Sequence, residues 1–147
     1  MNEEKIEYSK TALDTLIKKY PITFNNACFE SIWFIPNGWM NLIDDLCKDI
    51  STILEESYSK FPQTDENPGF SILQIKEKFG SLRFYFNVIS EDVLLYDKIQ
   101  NLVDAAEVKS ETVCEATGKD GKMCKKGLYF HTLNEDVAKK HGFKPIN

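Results

Sequence analysis

The sequence predicts an α+β fold, a small antiparallel sheet packed by about four helices, closing with a zinc-ribbon-like hairpin and a short helix. Three observations predict it. Trp39, Leu42, Ile43, Leu46, Cys47, Ile50, Ile53, Leu54 and Tyr58 recur at helical spacing until Pro62 ends the run. The period then switches to two on either side of Gly80, in residues 71–79 and 82–87. Helical spacing returns after Ser90, and a turn-rich tail follows. At 147 residues the chain reads as one domain, 1–147, with 110–147 as a knuckle-like C-terminal subdomain.

Each element has its own signal. Ile6, Leu13, Leu16, Ile17 and Tyr20 share one helical face, and Pro21 closes that helix. Residues 22–36 are rich in aromatics (Phe24, Phe29, Trp33, Phe34) but lack a clean period, so they read as a partly buried connection. Asn37 is placed to cap the long helix, whose wet side carries Asp44, Asp45, Lys48, Asp49, Glu55 and Glu56. A loop from Pro62 to Gly69 leads into the hairpin.

The hairpin register follows from burial. Leu73 and Ile75 are expected on the same face as Leu82, Phe84 and Phe86, because a slip of one residue would expose one set. That pairs Ile75 with Phe84 and Lys76 with Arg83. A two-residue Phe79-Gly80 loop would demand positive φ of a bulky side chain, so a loop of about four residues around Lys78 to Ser81 is expected. Beyond it, Ser90 is placed to cap a helix with Leu95, Tyr96, Ile99, Leu102, Val103 and Ala106 inward.

In the tail, strands at 111–115 and 126–131 flank the turn Thr117–Gly121, packed by Val113, Leu128, Phe130 and Leu133. Thr132 and Glu135 form a capping box for a helix of about two turns, which Gly142 and Phe143 stop.

Composition narrows the function classes. Ten Phe, six Tyr and two Trp supply enough apolar surface for a core without disulfides. The four cysteines are unevenly spaced, which reads as reduced thiols in a cytoplasmic protein. The polar, acidic first residues do not read as a secretory signal, and no stretch has the apolar length of a membrane span. A net charge of −5 argues against a general nucleic-acid coat.

Three strings stand together: Gly38-Trp39-Met40-Asn41-Leu42-Ile43-Asp44-Asp45-Leu46-Cys47, Gln74-Ile75-Lys76-Glu77-Lys78-Phe79-Gly80-Ser81-Leu82-Arg83-Phe84-Tyr85, and Cys114-Glu115-Ala116-Thr117-Gly118-Lys119-Asp120-Gly121. Over 38–143 the chain resembles small bacterial and phage proteins that share a K-E-K-F-G-x-L-R-F-Y hairpin and a zinc-knuckle-like C-terminus. No established activity comes with the resemblance. It implies a phage source and roles such as host takeover, counter-defence or toxin immunity.

The chemistry to be expected is binding. A zinc knuckle needs two thiolates on one tight turn, but Thr117 stands where the second cysteine belongs. Cys124, His131 and His141 match no common ligand spacing, so no metal or cofactor is assigned. Cys124 lies among Lys122, Lys125 and Lys126, which would favour its thiolate, and with His131 it frames a weaker cysteine-enzyme reading. Cys28 and Cys47 read as core. No catalytic set emerges.

The outward hairpin face offers Gln74, Lys76, Lys78, Arg83 and Tyr85. Lys76 and Arg83, directly opposed, repel one another unless an anion lies between them or Glu77, a helix carboxylate or the aqueous face relieves them. The leading expectation is a non-enzymatic protein that docks on a protein partner. The alternative is an anionic small molecule, nucleotide or nucleic acid held by an Arg83 fork and a Tyr85 stacking surface.

Overall fold

A computed structural model describes residues 6, 10–28 and 33–146 of the chain, and they form an α+β architecture. In order come α1 (Lys10–Lys19), α2 (Pro21–Phe24), α3 (Met40–Lys60), β1 (Gly69–Lys78), β2 (Ser81–Ile89) and α4 (Leu95–Ser110). The C-terminal part follows with β3 (Lys122–Lys126), β4 (Tyr129–Leu133), α5 (Glu135–His141) and β5 (Lys144–Pro145). The strands make two sheets: the β1–β2 hairpin, and a three-stranded sheet in the order β4-β3-β5. Phe29 lies outside the described residues.

The main core sits between the inner hairpin face and the α3–α4 pair. Leu42, Ile43, Leu46, Cys47, Ile50 and Leu54 recur at helical spacing along α3 and are all buried. Each apolar side chain so buried contributes about 1.5–3 kcal/mol. Leu95, Ile99, Val103 and Ala106 of α4 face them, whereas Tyr96 points outward, 49% exposed. Phe24, Trp33 and Ile35 of the aromatic connection are buried in the same core. Ile6 is not on α1 and packs instead against a second, smaller cluster in the C-terminal subdomain.

Tertiary contacts displace the expected caps. Asn37 starts a 3-10 turn, Asn37–Trp39, and α3 has no side-chain cap. The helix start is set instead by Trp39, fully buried, whose indole N–H donates 2.8 Å to the Val113 carbonyl. Gly38 N–H donates to the Glu115 carbonyl at 2.8 Å, so close that a Cβ at Gly38 would run into the Cys114 carbonyl oxygen. Ser90 caps a turn rather than α4: its Oγ accepts from Asp92 N–H, and Asp92 Oδ1 accepts from Leu94 N–H. Asp44 is no mere solvating charge, since it pairs with Lys19 at 2.9 Å and accepts from the Tyr20 hydroxyl, tying α1 to α3.

The hairpin has the expected register, Ile75 opposite Phe84 and Lys76 opposite Arg83. Two expectations for it fail. The register jumps between Ile72 and Gln74, leaving Leu73 as the extra residue of a bulge, 43% exposed. A bulge reverses the side-chain phase, so fully buried Ile72 takes the inward place given to Leu73. The loop is also only two residues long, with Lys78 opposite Ser81 and both Phe79 (φ 53°) and Gly80 (φ 81°) left-handed. This is the type I′ arrangement that matches strand twist.

The subdomain departs further from expectation. The strand at 111–115 shrinks to a single bridge, Val113 with Asp120, and the ladder runs instead between β3 and β4. Its buried hydrophobic residues are Cys114, Cys124, Leu133 and Ala138, while Leu128 is 88% exposed at the β3–β4 turn. Asn134 caps α5, its Oδ1 accepting from Asp136 and Val137 N–H, because Thr132 is committed to β4 and donates its hydroxyl to the Gly80 carbonyl. Gly142 ends α5 at φ 76°, as expected.

Two substitutions test these contacts. Phe79 is 60% exposed, so Phe79→Asn relieves left-handed strain at little loss of burial. It is expected to stabilise by about 1 kcal/mol, a rise of roughly 3 °C in Tm. Gly38→Ala is expected to destabilise by about 2 kcal/mol or more, because the obstructing atom is backbone. Thermal unfolding followed by circular dichroism reads both.

Candidate functional site

The hairpin brings the five expected residues to one side. Gln74 pairs with Tyr85 and Lys76 with Arg83, and Lys78 adjoins the turn. Lys76, Arg83 and Gln74 are half-buried, and Tyr85 and Lys78 are exposed. The Lys76 ammonium lies 5.7 Å from the Tyr85 ring centroid. Among the described residues no carboxylate forms an ion pair with Lys76 or Arg83. Phe34 bridges to Lys76 in parallel along β1 and is 46% exposed. With bulged-out Leu73 it adds apolar surface beside the cations.

The edge of β2 is capped by α4 at Leu82 and Phe84. Leu82 N–H donates to Ser110 Oγ at 2.9 Å and Phe84 N–H to Glu107 Oε2 at 3.0 Å. Burial pushes the Glu107 carboxyl up, against the pull of the Phe84 amide and the Arg83 charge. Such caps protect an edge from pairing with another strand.

Glu77 does not relieve Lys76 and Arg83. It sits in the inward phase of β1, where Oε2 accepts from Gly80 N–H at 2.8 Å and Oε1 stands 3.8 Å from His131 Nδ1. Glu115 completes the group. Its side chain is fully buried, with Oε1 3.0 Å from His131 Nδ1 and Oε2 accepting from Thr132 N–H at 2.6 Å. Among the described residues, Glu77, Glu115 and His131 offer three ligand atoms within 4.8 Å of one another.

The electrostatics of the group are tense. Burial drives the Glu115 carboxyl above its ordinary value, and the His131 hydrogen bond offsets this only in part. Burial pulls His131 down, but hydrogen bonding and charge from Glu115, with Glu77 behind, outweigh it and raise its pKa. One imidazole thus serves two carboxylates in a place with little water.

In sequence His131 stands out only as a metal donor of no common spacing and as a possible base for Cys124, and the two glutamates do not stand out as site residues. One signal was present for Glu77: a carboxylate in the inward phase of a strand that also buries Ile75. Glu115 carried none, since its partners are 16 and 17 residues away in sequence and meet it only through folding.

Strand pairing sets Cys124 directly opposite His131, the two residues of the cysteine-enzyme reading. Cys124 is 1% exposed and points into the small core despite the lysines around it in sequence. Burial raises its pKa, as it does more strongly for Cys47. His131 faces Glu115 rather than Cys124. Cys28 is half-buried, less enclosed than the core position expected of it.

No family model, curated protein or solved structure matches this chain, so its site is read from geometry alone. No helix among the described residues is long and apolar enough to cross a membrane.

Two measurements check this description. Cys47, Cys114 and Cys124 are expected to resist a thiol reagent at neutral pH until the chain unfolds, with Cys28 reacting first. Thr132→Val removes a buried hydroxyl bonded 2.7 Å from the Gly80 carbonyl. It is expected to cost about 1–2 kcal/mol, read from urea midpoints.

Proposed function

We propose that this chain is a non-enzymatic binding protein whose docking surface is the outward face of the β1–β2 hairpin. The observation that carries the reading is the directly opposed Lys76–Arg83 pair, half exposed and without an ion-pair partner among the described residues. Two cations held side by side by a strand register repel each other, and an anion laid across them removes that cost.

The partner that fits is an acidic protein segment carrying apolar side chains. Its carboxylates meet Lys76, Lys78 and Arg83, and its apolar groups meet Leu73, Tyr85 and Phe34. Binding is on the face, because α4 already caps β2's edge at Leu82 and Phe84. Nucleic acid fits less well, since a long phosphate backbone would also meet a chain of net charge −5. Host takeover, counter-defence or toxin immunity are processes such docking would serve.

The test compares wild type with Lys76→Glu/Arg83→Glu as baits in the same cell lysate, followed by rebinding of the purified captured protein. A partner bound by wild type and weakened at least about tenfold by the double reversal, at unchanged Tm, is the expected result. Capture indifferent to the reversal, or binding of a labelled single-stranded oligonucleotide in place of any protein, refutes the reading.

A further inference from the structure

The Glu77–Glu115–His131 group lies apart from the outward hairpin face and has a use of its own. Its three side chains come from separate segments: β1, the loop after α4, and β4. One oxygen of each carboxylate is already held by backbone, Glu77 Oε2 by Gly80 N–H and Glu115 Oε2 by Thr132 N–H. The remaining oxygens both turn to His131 Nδ1, at 3.8 Å and 3.0 Å. Donors bound at about 2.1 Å around a tetrahedral ion stand roughly 3.4 Å apart, and these two separations straddle that value.

Charge points the same way independently. Without an ion, two acidic side chains share one imidazole, and one of the two is 0% exposed. Among the described residues no lysine or arginine pairs with either glutamate. A divalent ion bound by two carboxylates and a neutral imidazole leaves no net charge.

We propose that Glu77 Oε1, Glu115 Oε1 and His131 Nδ1 bind a single divalent first-row transition ion, with zinc as the fitting case. Imidazole in the donor set selects such an ion over magnesium or calcium, which prefer oxygen ligands throughout. Three protein ligands leave a fourth position for water or a donor from a bound partner. Occupancy ties the hairpin tip to the C-terminal subdomain at the point where the two cores meet. Cys114 and Cys124 take no part, so the ion does not occupy a knuckle.

The test strips the full chain with a chelator and titrates it with Zn²⁺ by calorimetry, with Mg²⁺ in parallel and native mass spectrometry to count ions. One Zn²⁺ per chain at micromolar affinity or tighter, a Tm raised by several degrees, and no Mg²⁺ uptake are expected. Glu77→Gln keeps an oxygen to accept from Gly80 N–H, so it is expected to fold while losing at least about tenfold in Zn²⁺ affinity. His131→Gln is expected to lose as much. Absence of Zn²⁺ uptake at about a hundredfold above micromolar concentration overturns the proposal, as does Mg²⁺ uptake or unchanged affinity in both variants. If either variant unfolds, Co²⁺ bound to wild type decides. Visible bands of a nitrogen–oxygen site support the proposal, and sulfur-to-cobalt charge transfer, or no bound Co²⁺, overturns it.

Discussion

Glu115 is where the architecture is joined. Its carbonyl accepts from Gly38 at the start of the long helix, and its amide donates to the Thr132 carbonyl. Its carboxylate takes the Thr132 amide and faces His131. One residue thus binds the start of α3 and β4 to its own loop through both backbone and side chain. A fully buried carboxylate costs several kcal/mol unless its lone pairs are satisfied; here Thr132 and His131 satisfy them within the subdomain, while the backbone bond from Gly38 ties the same residue to the main core. Removing any partner leaves a charged or polar group without water.

The hairpin tip shows what that junction makes tolerable. A phenylalanine in left-handed conformation is strained by about 1–2 kcal/mol, and an unsupported chain would avoid it with a longer loop. Here Gly80 is held on both sides, its amide by Glu77 and its carbonyl by Thr132. The turn is short because its second residue is clamped from outside the hairpin. A strained position fixed by its surroundings is itself a reason to look for function nearby, and the tip lies between the cationic face and the Glu–His–Glu group.

The two surfaces of the hairpin divide the labour. The inner face builds the core and turns Glu77 toward the junction. The outer face keeps Lys76 and Arg83 opposed, with exposed Leu73, Tyr85 and Phe34 around them. The β2 edge is capped at Leu82 and Phe84 by Ser110 and Glu107, which blocks strand addition there.

The sequence alone determined whatever rests on local period and on near neighbours. The long helix, the strand switch, the Lys76–Arg83 register and the Gly142 stop were all legible, since each is specified by spacing within about ten residues. Only the tertiary structure decided the caps, the bulge at Leu73, the two-residue turn and the Glu77–Glu115–His131 group. At the α3 start, the two-residue turn and the Glu–His group a distant partner overrides the local preference: Val113 for Trp39, Thr132 for Gly80, His131 for Glu115. Propensity and period carry no information about contacts between residues 16 to 74 positions apart, so these features exist only once the two cores are brought together.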